Sequence, residues 1–284
     1  MQKKHDICVV GSANMDTVLT VTALPDPGET VLATAVATTP GGKGANQAVA
    51  AARAGARVQF IGAVGDDDAG ARLRRHLEAN GVGTDGLKTV PGPSGSAVIT
   101  VDPNGQNTIV VTPGANASLT VDLDRRDLIT GAQVVLMQLE IPLATATTAA
   151  RLARAGAATV IANISPIGGD LAELAGLIDV AVVNETESAR FDHPVPHRVV
   201  TLGARGARYT GPDGTVHVPV PVVDAVDTSG AGDVFAGVLA AEWPYGIAHA
   251  LRAACAAGAL ATLTPGAGDC APSAETIRAA VSTL

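Results

Sequence analysis

The stretch "DTSGAGDVF", residues 227–235, sets Asp233 where a glycine-rich run turns apolar at Val234 and Phe235. A carboxylate at such a point can cap a helix or serve as a catalytic acid–base group. Five other stretches attach polar residues to apolar runs. "GSANMD" offers Asn14 and Asp16, and "GGKGANQA" offers Gly41, Gly42, Lys43 and Asn46. "MQLE" ends in Glu140, "VNETE" carries Asn184, Glu185 and Glu187, and "TLGARG" carries Thr201, Gly203 and Gly206. Each is weak alone, because glycines at strand ends and acids at helix starts are common. Their occurrence together in one chain points to a site.

The elements that must position them follow from the apolar pattern. "ICVVG", "VQFIGAVG", "VVLMQLE", "TVIANIS", "DVAVVNE" and "RVVTLG" read as strands. "GANQAVAAARAG", "DAGARLRRHLEANG" and "PLATATTAARLARAG" read as helices, the first closed by Gly55 and the second by Gly81. Strands alternating with helices imply βαβ units and a mostly parallel sheet. Ligands bind such sheets at the carboxyl ends of the strands, where the polar stretches fall. Two segments break the rhythm. Residues 17–39 are rich in Thr and Val around turn residues, and residues 95–112 read as two strands around "DPNGQN". Both are expected to be β-ribbons forming a small second sheet.

The bulk composition narrows the classes. The 284 residues are 47% hydrophobic but only 2% aromatic, so Ala, Val, Leu and Ile must build the core. A net charge of -8 leaves no basic surplus for nucleic acid or an acidic membrane. A nucleotide remains compatible, held by backbone N–H groups and a metal. "MQKKHDICVVG" has too short an apolar run for a signal peptide, and no stretch is long enough to span a membrane. Cys8, Cys255 and Cys270 are odd in number, widely spaced and without metal-ligand spacing, so free thiols in a reducing compartment are expected.

In this combination the sequence resembles the ribokinase family of sugar kinases, also called the phosphofructokinase-B family, over nearly the whole chain. "DTSGAGDVF" is similar to the C-terminal signature and "GGKGANQAVAAARAGA" to the N-terminal one, in the form typical of ribose-phosphorylating members. "GSANMD", "TPGANASL", "MQLEIP", "NETE" and "TLGARGA" resemble family segments in the same order. The resemblance implies a three-layer α/β fold with a mostly parallel central sheet and a small β-sheet lid. It implies one kinase domain over 1–284, with lid ribbons at about 17–39 and 95–112. The implied reaction is ATP-dependent phosphorylation of ribose at its primary 5-hydroxyl. Deoxyribose, another sugar or a nucleoside is the alternative within the family; a sugar-binding protein without turnover is the alternative outside it.

The resemblance also implies roles for residues. Asp233 takes the hydroxyl proton, while the backbone N–H groups of Gly230, Ala231, Gly232 and Asp233 face the transferring phosphoryl. Free donors at a helix start favour an anion, and glycine lets the backbone approach it. Asn14, Asp16, Gly42, Lys43, Asn46 and Glu140 map onto sugar contacts, and such side chains suit a polyhydroxylated ligand. Asn184 and Glu187 match an element linked to magnesium and phosphate. Thr201, Gly203 and Gly206, with Gly232 and Cys255, fall on the nucleotide side. A monovalent cation, mainly potassium, is implied, with Asp227 and Ser229 matching ligands and Ala261, Thr264, Gly266 and Ser273 supplying others. A cytoplasmic homodimer paired through the lid completes the expectation.

Two departures are visible. Only "SARFDHPVPHRVV" lies between Glu187 and Thr201, where the family carries an extra helix. Pro194 and Pro196 oppose a helix in what remains, so an irregular crossover over 188–200 is expected, with one patch of sheet face less covered. "TPGAGDCAPS" is slightly longer than the family pattern, which weakens the match at Ser273.

Overall fold

The computed structural model describes residues 6–282; the reading of the first five residues lies outside them. The chain runs β1 (Asp6–Val10), β2 (Asn14–Thr20), β3 (Ala35–Gly41), α1 (Lys43–Arg53), β4 (Arg57–Gly65), α2 (Asp68–Ala79) and β5 (Val82–Val90). It continues through β6 (Gly95–Val101), β7 (Asn107–Thr112), α3 (Leu123–Thr130), β8 (Val134–Gln138), α4 (Leu143–Ala155) and β9 (Thr159–Asn163). Then come α5 (Ala172–Ala175), β10 (Val180–Asn184), α6 (Glu185–Ser188), β11 (His197–Thr201), β12 (Ala207–Gly211) and β13 (Gly214–Val218). Three helices follow, α7 (Ala231–Glu242), α8 (Ile247–Ala261) and α9 (Ala274–Val281).

The large sheet has nine strands in the order β13-β12-β11-β10-β9-β8-β1-β4-β5. Every pair from β11 to β5 is parallel, and β12 and β13 add an antiparallel edge. Strands buried on both faces read as unbroken apolar runs, which is why "ICVV" and "VVLM" carry no alternation. Along β1, Ile7 and Val9 join one core with α1, α2, α7 and α8, while Cys8 and Val10 join another with α3 and α4. Helices therefore cover both faces, giving the expected three layers.

The small residues of α1 let it pack close to α7. A Cβ built on Gly237 would lie 2.4 Å from the Gln47 carbonyl, so this contact exists only because position 237 is glycine. That approach brings the polar side chains of α1 to the start of α7.

The two ribbons form a separate four-stranded sheet in the order β3-β2-β6-β7. β2 pairs antiparallel with β3 and parallel with β6, and β6 pairs antiparallel with β7. The first ribbon is longer than its Thr- and Val-rich stretch indicates. It begins at Asn14, paired with Gly41 and Gly95, so its polar root is strand rather than loop.

The short crossover behaves as the prolines require, with one turn of α6 and then irregular backbone over 189–196. The thinly covered patch expected beside it is not present. Phe191 is 1% exposed and packs in the core with Ala181, Val183 and Val200. One aromatic ring, capped by the Arg198 guanidinium 5.2 Å from its centroid, covers the area a helix would have covered. All three cysteines are buried and unpaired. Among the described residues no helix is long and apolar enough to cross a membrane.

Candidate active site

Asp233 sits in the first turn of α7, yet it is not the helix cap. The N-cap is Gly230, in the left-handed region at φ 76° and with no side-chain cap bond. The Asp233 carboxylate turns instead toward α1. Its Oδ2 accepts from Asn46 Nδ2 at 3.2 Å and its Oδ1 from Gln47 Nε2 at 3.0 Å. The residue is only 7% exposed, so its carboxylate depends on those donors. The first-turn N–H groups of α7 lack intrahelical acceptors and present positive potential where the chain is glycine-rich.

Two cavities adjoin here. The smaller, about 120 Å³, is lined by Lys43, Asn163, Asn184, Glu187, Gly232 and Asp233 among others. The larger, about 550 Å³, runs past Thr201, Gly203, Gly206, Phe235 and Cys255. Asn184, Thr201 and Gly232 line both, so the cavities meet beside the start of α7. The polar small cavity and the largely apolar long one are suited to different ligands.

The start of α1 is built without a local cap. Gly42 has φ 87°, a conformation costly for any residue with a side chain. A Cβ there would also fall 2.7 Å from the Asn14 N–H nitrogen. The orphan N–H of Lys43 is taken by a distant carboxylate, Glu140 Oε2, at 3.1 Å. Ser12 Oγ donates to the same oxygen at 2.6 Å and accepts from the Gly44 N–H at 3.2 Å. Glu140 is thereby fixed at a helix N-terminus, where negative charge is favoured.

Charge in this region is concentrated and mutually dependent. The Lys43 ammonium is pushed to a higher pKa by the Asp233 carboxylate, against burial, with Glu140 and Glu187 adding to the effect. The Asp16 carboxyl is pushed up to about 7, first by burial and then by Glu140 and Asp233. Its Oδ1 is buried with no hydrogen-bond partner among the described residues, an acceptor set up for something other than the protein.

On the other side of α7, Asp227 ties two loops together. Its Oδ1 accepts from the Ser229 N–H and its Oδ2 from the Gly266 N–H, each at 2.8 Å. Burial pushes its carboxyl upward, but those bonds prevail and hold it below the usual range. Thr264 N–H bonds the Ala261 carbonyl at 3.2 Å in the same turn. Ser273 caps α9, accepting from the Thr276 N–H at 3.2 Å. Asn184 and Glu187 form a reciprocal capping box on α6, with both bonds at 2.8 Å. Cys255 is 1% exposed and its thiol is pushed up to about 12 by burial, so it enters the large cavity as an apolar wall.

Sequence reading missed four residues that hold this site. Ser12 positions Glu140, Asn116 positions Asn14, and Gln47 and Asn163 sit behind Asp233. Gln47 had a signal: it is an amide that opens the alanine and valine run "AVAAA" of α1. Asn116 and Asn163 sit in stretches whose neighbours disclose nothing about long-range contacts.

An anion held at the start of α7 would face both Asp233 and the polar small cavity, the arrangement a phosphotransferase needs to hand a phosphoryl group to a hydroxylated acceptor. A family model described as pfkB family carbohydrate kinase matches residues 4–274, and the chain belongs to that family. The chain is 37% identical over 277 residues to a ribokinase of Bacillus subtilis, covering 93% of this chain and 94% of that one. It is also 37% identical over 258 residues to a deoxyribokinase of Salmonella typhimurium, covering 83% and 84%. The structure of Arabidopsis thaliana ribokinase complexed with ribose and ATP superposes with a TM-score of 0.90 at 29% identity, covering 98% of this chain and 99% of that one.

Proposed function

We propose that the protein transfers the γ-phosphoryl of ATP to the primary 5-hydroxyl of ribose, giving ribose 5-phosphate and ADP. The observation that carries this reading is the buried carboxylate of Asp233 in a polar cavity that meets a nucleotide-sized one at Gly232. Asp233 takes the hydroxyl proton as the sugar oxygen bonds phosphorus and the bond to the bridging oxygen breaks. The N–H groups of Gly230, Ala231, Gly232 and Asp233 stabilise the charge that develops on the phosphoryl oxygens. Asn14, Asp16, Gly42, Lys43, Asn46 and Glu140 hold the sugar. Thr201, Gly203, Gly206 and Cys255 line the adenosine side. One kinase unit spans the chain, with the two ribbons as its lid over the sugar.

Two ions fit the residues present. Glu187 and Asn184 border the small cavity beside Lys43, and would hold magnesium through water. Magnesium supplies charge neutralisation on the ATP phosphates. Asp227, kept ionised below the start of α7, would hold potassium with Ser229 and the carbonyls of Ala261, Thr264 and Gly266, a hard oxygen set. Held there, such an ion would tie together the loops behind the anion-binding turn that Asp227 already joins through Ser229 and Gly266. Ser273 would add an oxygen to this set while capping α9, since a hydroxyl that accepts one N–H keeps a second lone pair.

The lid exposes Val36, Val98, Ile109, Val110 and Val111. Such an apolar surface supports a homodimer in which a second lid covers it. A cytoplasmic location is in keeping with three unpaired thiols.

Coupled ADP release measured with ribose, deoxyribose and ribonucleosides tests the reading, and kcat/KM is expected to be highest for ribose. Preference for deoxyribose would shift the assignment to the second relative's activity, which shares the same 37% identity. Measurable ribose binding with no turnover on any acceptor would overturn the kinase reading.

A further inference from the structure

Gln47 is completely buried, and neither the proposed sugar contacts nor the anion donors include it. Its amide nitrogen nevertheless makes two hydrogen bonds, to Asp233 Oδ1 at 3.0 Å and to Asn163 Oδ1 at 3.2 Å. Asn163 in turn donates its own NH2 to the Val182 carbonyl at 3.2 Å. A chain of amides thus runs from β10, through β9, to the carboxylate on α7.

The direction of this chain is fixed. Because Asn163 spends its NH2 on the Val182 carbonyl, its Oδ1 must face Gln47. Gln47 then faces two acceptors, Asn163 Oδ1 and Asp233 Oδ1, and only its NH2 satisfies both. Turning that amide over would set Oε1 against two other oxygens. Val182 is 2% exposed at the centre of a parallel sheet, so the far end of the chain is anchored on rigid backbone.

The two oxygens of Asp233 therefore differ. Oδ2 is held by Asn46, which is among the proposed sugar contacts and can exchange that bond for one to the ligand. Oδ1 is held by a residue with no access to the ligand, so its bond persists through the reaction. We infer that Gln47 is a positioning residue which, with Asn163, anchors Oδ1 and leaves Oδ2 as the oxygen that takes the proton. The inference rests on Asp233 being the base. In the step, the sugar O–H proton moves to Oδ2, the sugar oxygen bonds the γ-phosphorus, and ADP leaves with the bridging oxygen. A carboxylate rotated away from its acceptor loses much of this assistance, since misplacement by about 1 Å can cost on the order of 100-fold.

The charged and titratable groups facing Asp233 are the Lys43 ammonium from α1, the Asp16 carboxyl from β2, the Glu187 carboxyl from α6 across the small cavity and the Cys270 thiol from the segment before α9. None is altered by substitution at Gln47 or Asn163, so a change in pH dependence would report the relay.

The test uses the full-length Gln47→Met and Asn163→Ala variants, assayed for kcat, for both KM values, and for kcat against pH. Gln47→Met keeps the side-chain length and removes the donor. It is expected to lower kcat about ten- to a hundredfold, with KM for ribose and ATP within about threefold of the parent. The acidic limb of its kcat–pH profile should move toward neutral pH, because the anionic form of the base has lost a donor. Asn163→Ala should act in the same direction and less strongly, and the double variant should be no worse than Gln47→Met. If Gln47→Met fails to fold, Asn163→Ala decides the question through its kcat–pH profile, because Asn163 also lines the small cavity and its kcat alone would not separate the relay from a direct contact. A variant that is merely less stable, with unmoved limb and near-normal kcat, overturns the relay. Asp233→Asn is the control: full activity there would overturn the base assignment itself, whereas an inactive Asp233→Asn beside a normal Gln47→Met would overturn only the relay.

Discussion

Asn116 donates its side-chain NH2 to Asn14 Oδ1 at 2.8 Å, across 102 residues of chain. The same side chain accepts from the Ala13 N–H at 3.0 Å and donates to the Ala13 carbonyl at 3.2 Å. It lies in the one-turn helix after the second lid ribbon, whereas Asn14 opens the first ribbon. One buried amide therefore staples both ribbons to the mouth of β1. Because Asn14 Oδ1 is occupied, its NH2 is the end it can offer a ligand.

Asn116→Ala removes that orientation and leaves the Ala13 N–H buried without an acceptor. A loss of about 1–3 kcal/mol in unfolding free energy is expected. Ribose affinity should fall about tenfold, as one directed hydrogen bond is lost, while the ATP KM changes little. Urea denaturation and calorimetric titration measure the two effects. Unchanged ribose affinity would show that Asn14 does not need its neighbour.

Gly232 separates chemistry from folding. A Cβ built there meets no heavy atom within 4 Å, and the backbone is helical, so Gly232→Ala should fold. Alanine is the better helix former by about 0.5–1 kcal/mol, so thermal stability should hold or rise. The new methyl enters the junction of the two cavities, where a phosphoryl group would need the backbone N–H. The expected result is a kcat lowered about 100-fold in a protein of undiminished Tm. Normal turnover would move the phosphoryl position away from this turn.

Asp16 gives a pH signature of its own. Its folded carboxyl titrates at about 7, against an ordinary value of 3.8, because burial, Glu140 and Asp233 all disfavour the anion. Below about pH 4 both folded and unfolded states hold the proton, and the group contributes no slope. Between about 4 and 7 only the folded state holds it, so stability falls as pH rises; above about 7 the penalty is complete. Asp16→Asn should remove this slope. Unfolding free energies at pH 5 and pH 8 should show the variant gaining on the parent by on the order of 2 kcal/mol. Parallel curves for the two proteins would mean the carboxyl is ionised throughout.

The layers and the strand-end location of the site were legible because periodicity and glycine placement are local properties. "ICVV" and "VVLM" announce doubly buried strands, and "SGAGD" announces a helix start open to an anion. Partners were not legible. The carboxylate of Asp233 could have capped α7 by sequence, and only the approach of α1, permitted by Gly237, shows it facing Asn46 and Gln47 instead. Likewise the missing helix at 188–200 left a surface that composition could not assign, and Phe191 covers it through contacts distant in sequence. Ser273 adds a helix cap that its position in "TPGAGDCAPS" did not disclose.

Arg53 closes the site from behind, and its partners distinguish two kinds of bond. Its Nη1 donates to the Asp269 and Ala271 carbonyls at 2.8 and 2.9 Å, its Nε to Asn80 Oδ1 at 2.9 Å, and its Nη2 to the Asp269 carboxylate at 3.1 Å. The segment it grips includes Gly266, bonded to Asp227, and Ala267, packed against Gly230. The Asp269 side chain is 67% exposed, so its ion pair is screened and contributes little. The carbonyl and amide bonds come from a guanidinium that is mostly covered and cannot be replaced by water in the same geometry. Arg53→Met should therefore cost about 2 kcal/mol in urea denaturation, and Asp269→Asn less than about 0.5 kcal/mol. Equal losses in the two variants would place the stabilisation in the ion pair and not in the carbonyl clamp.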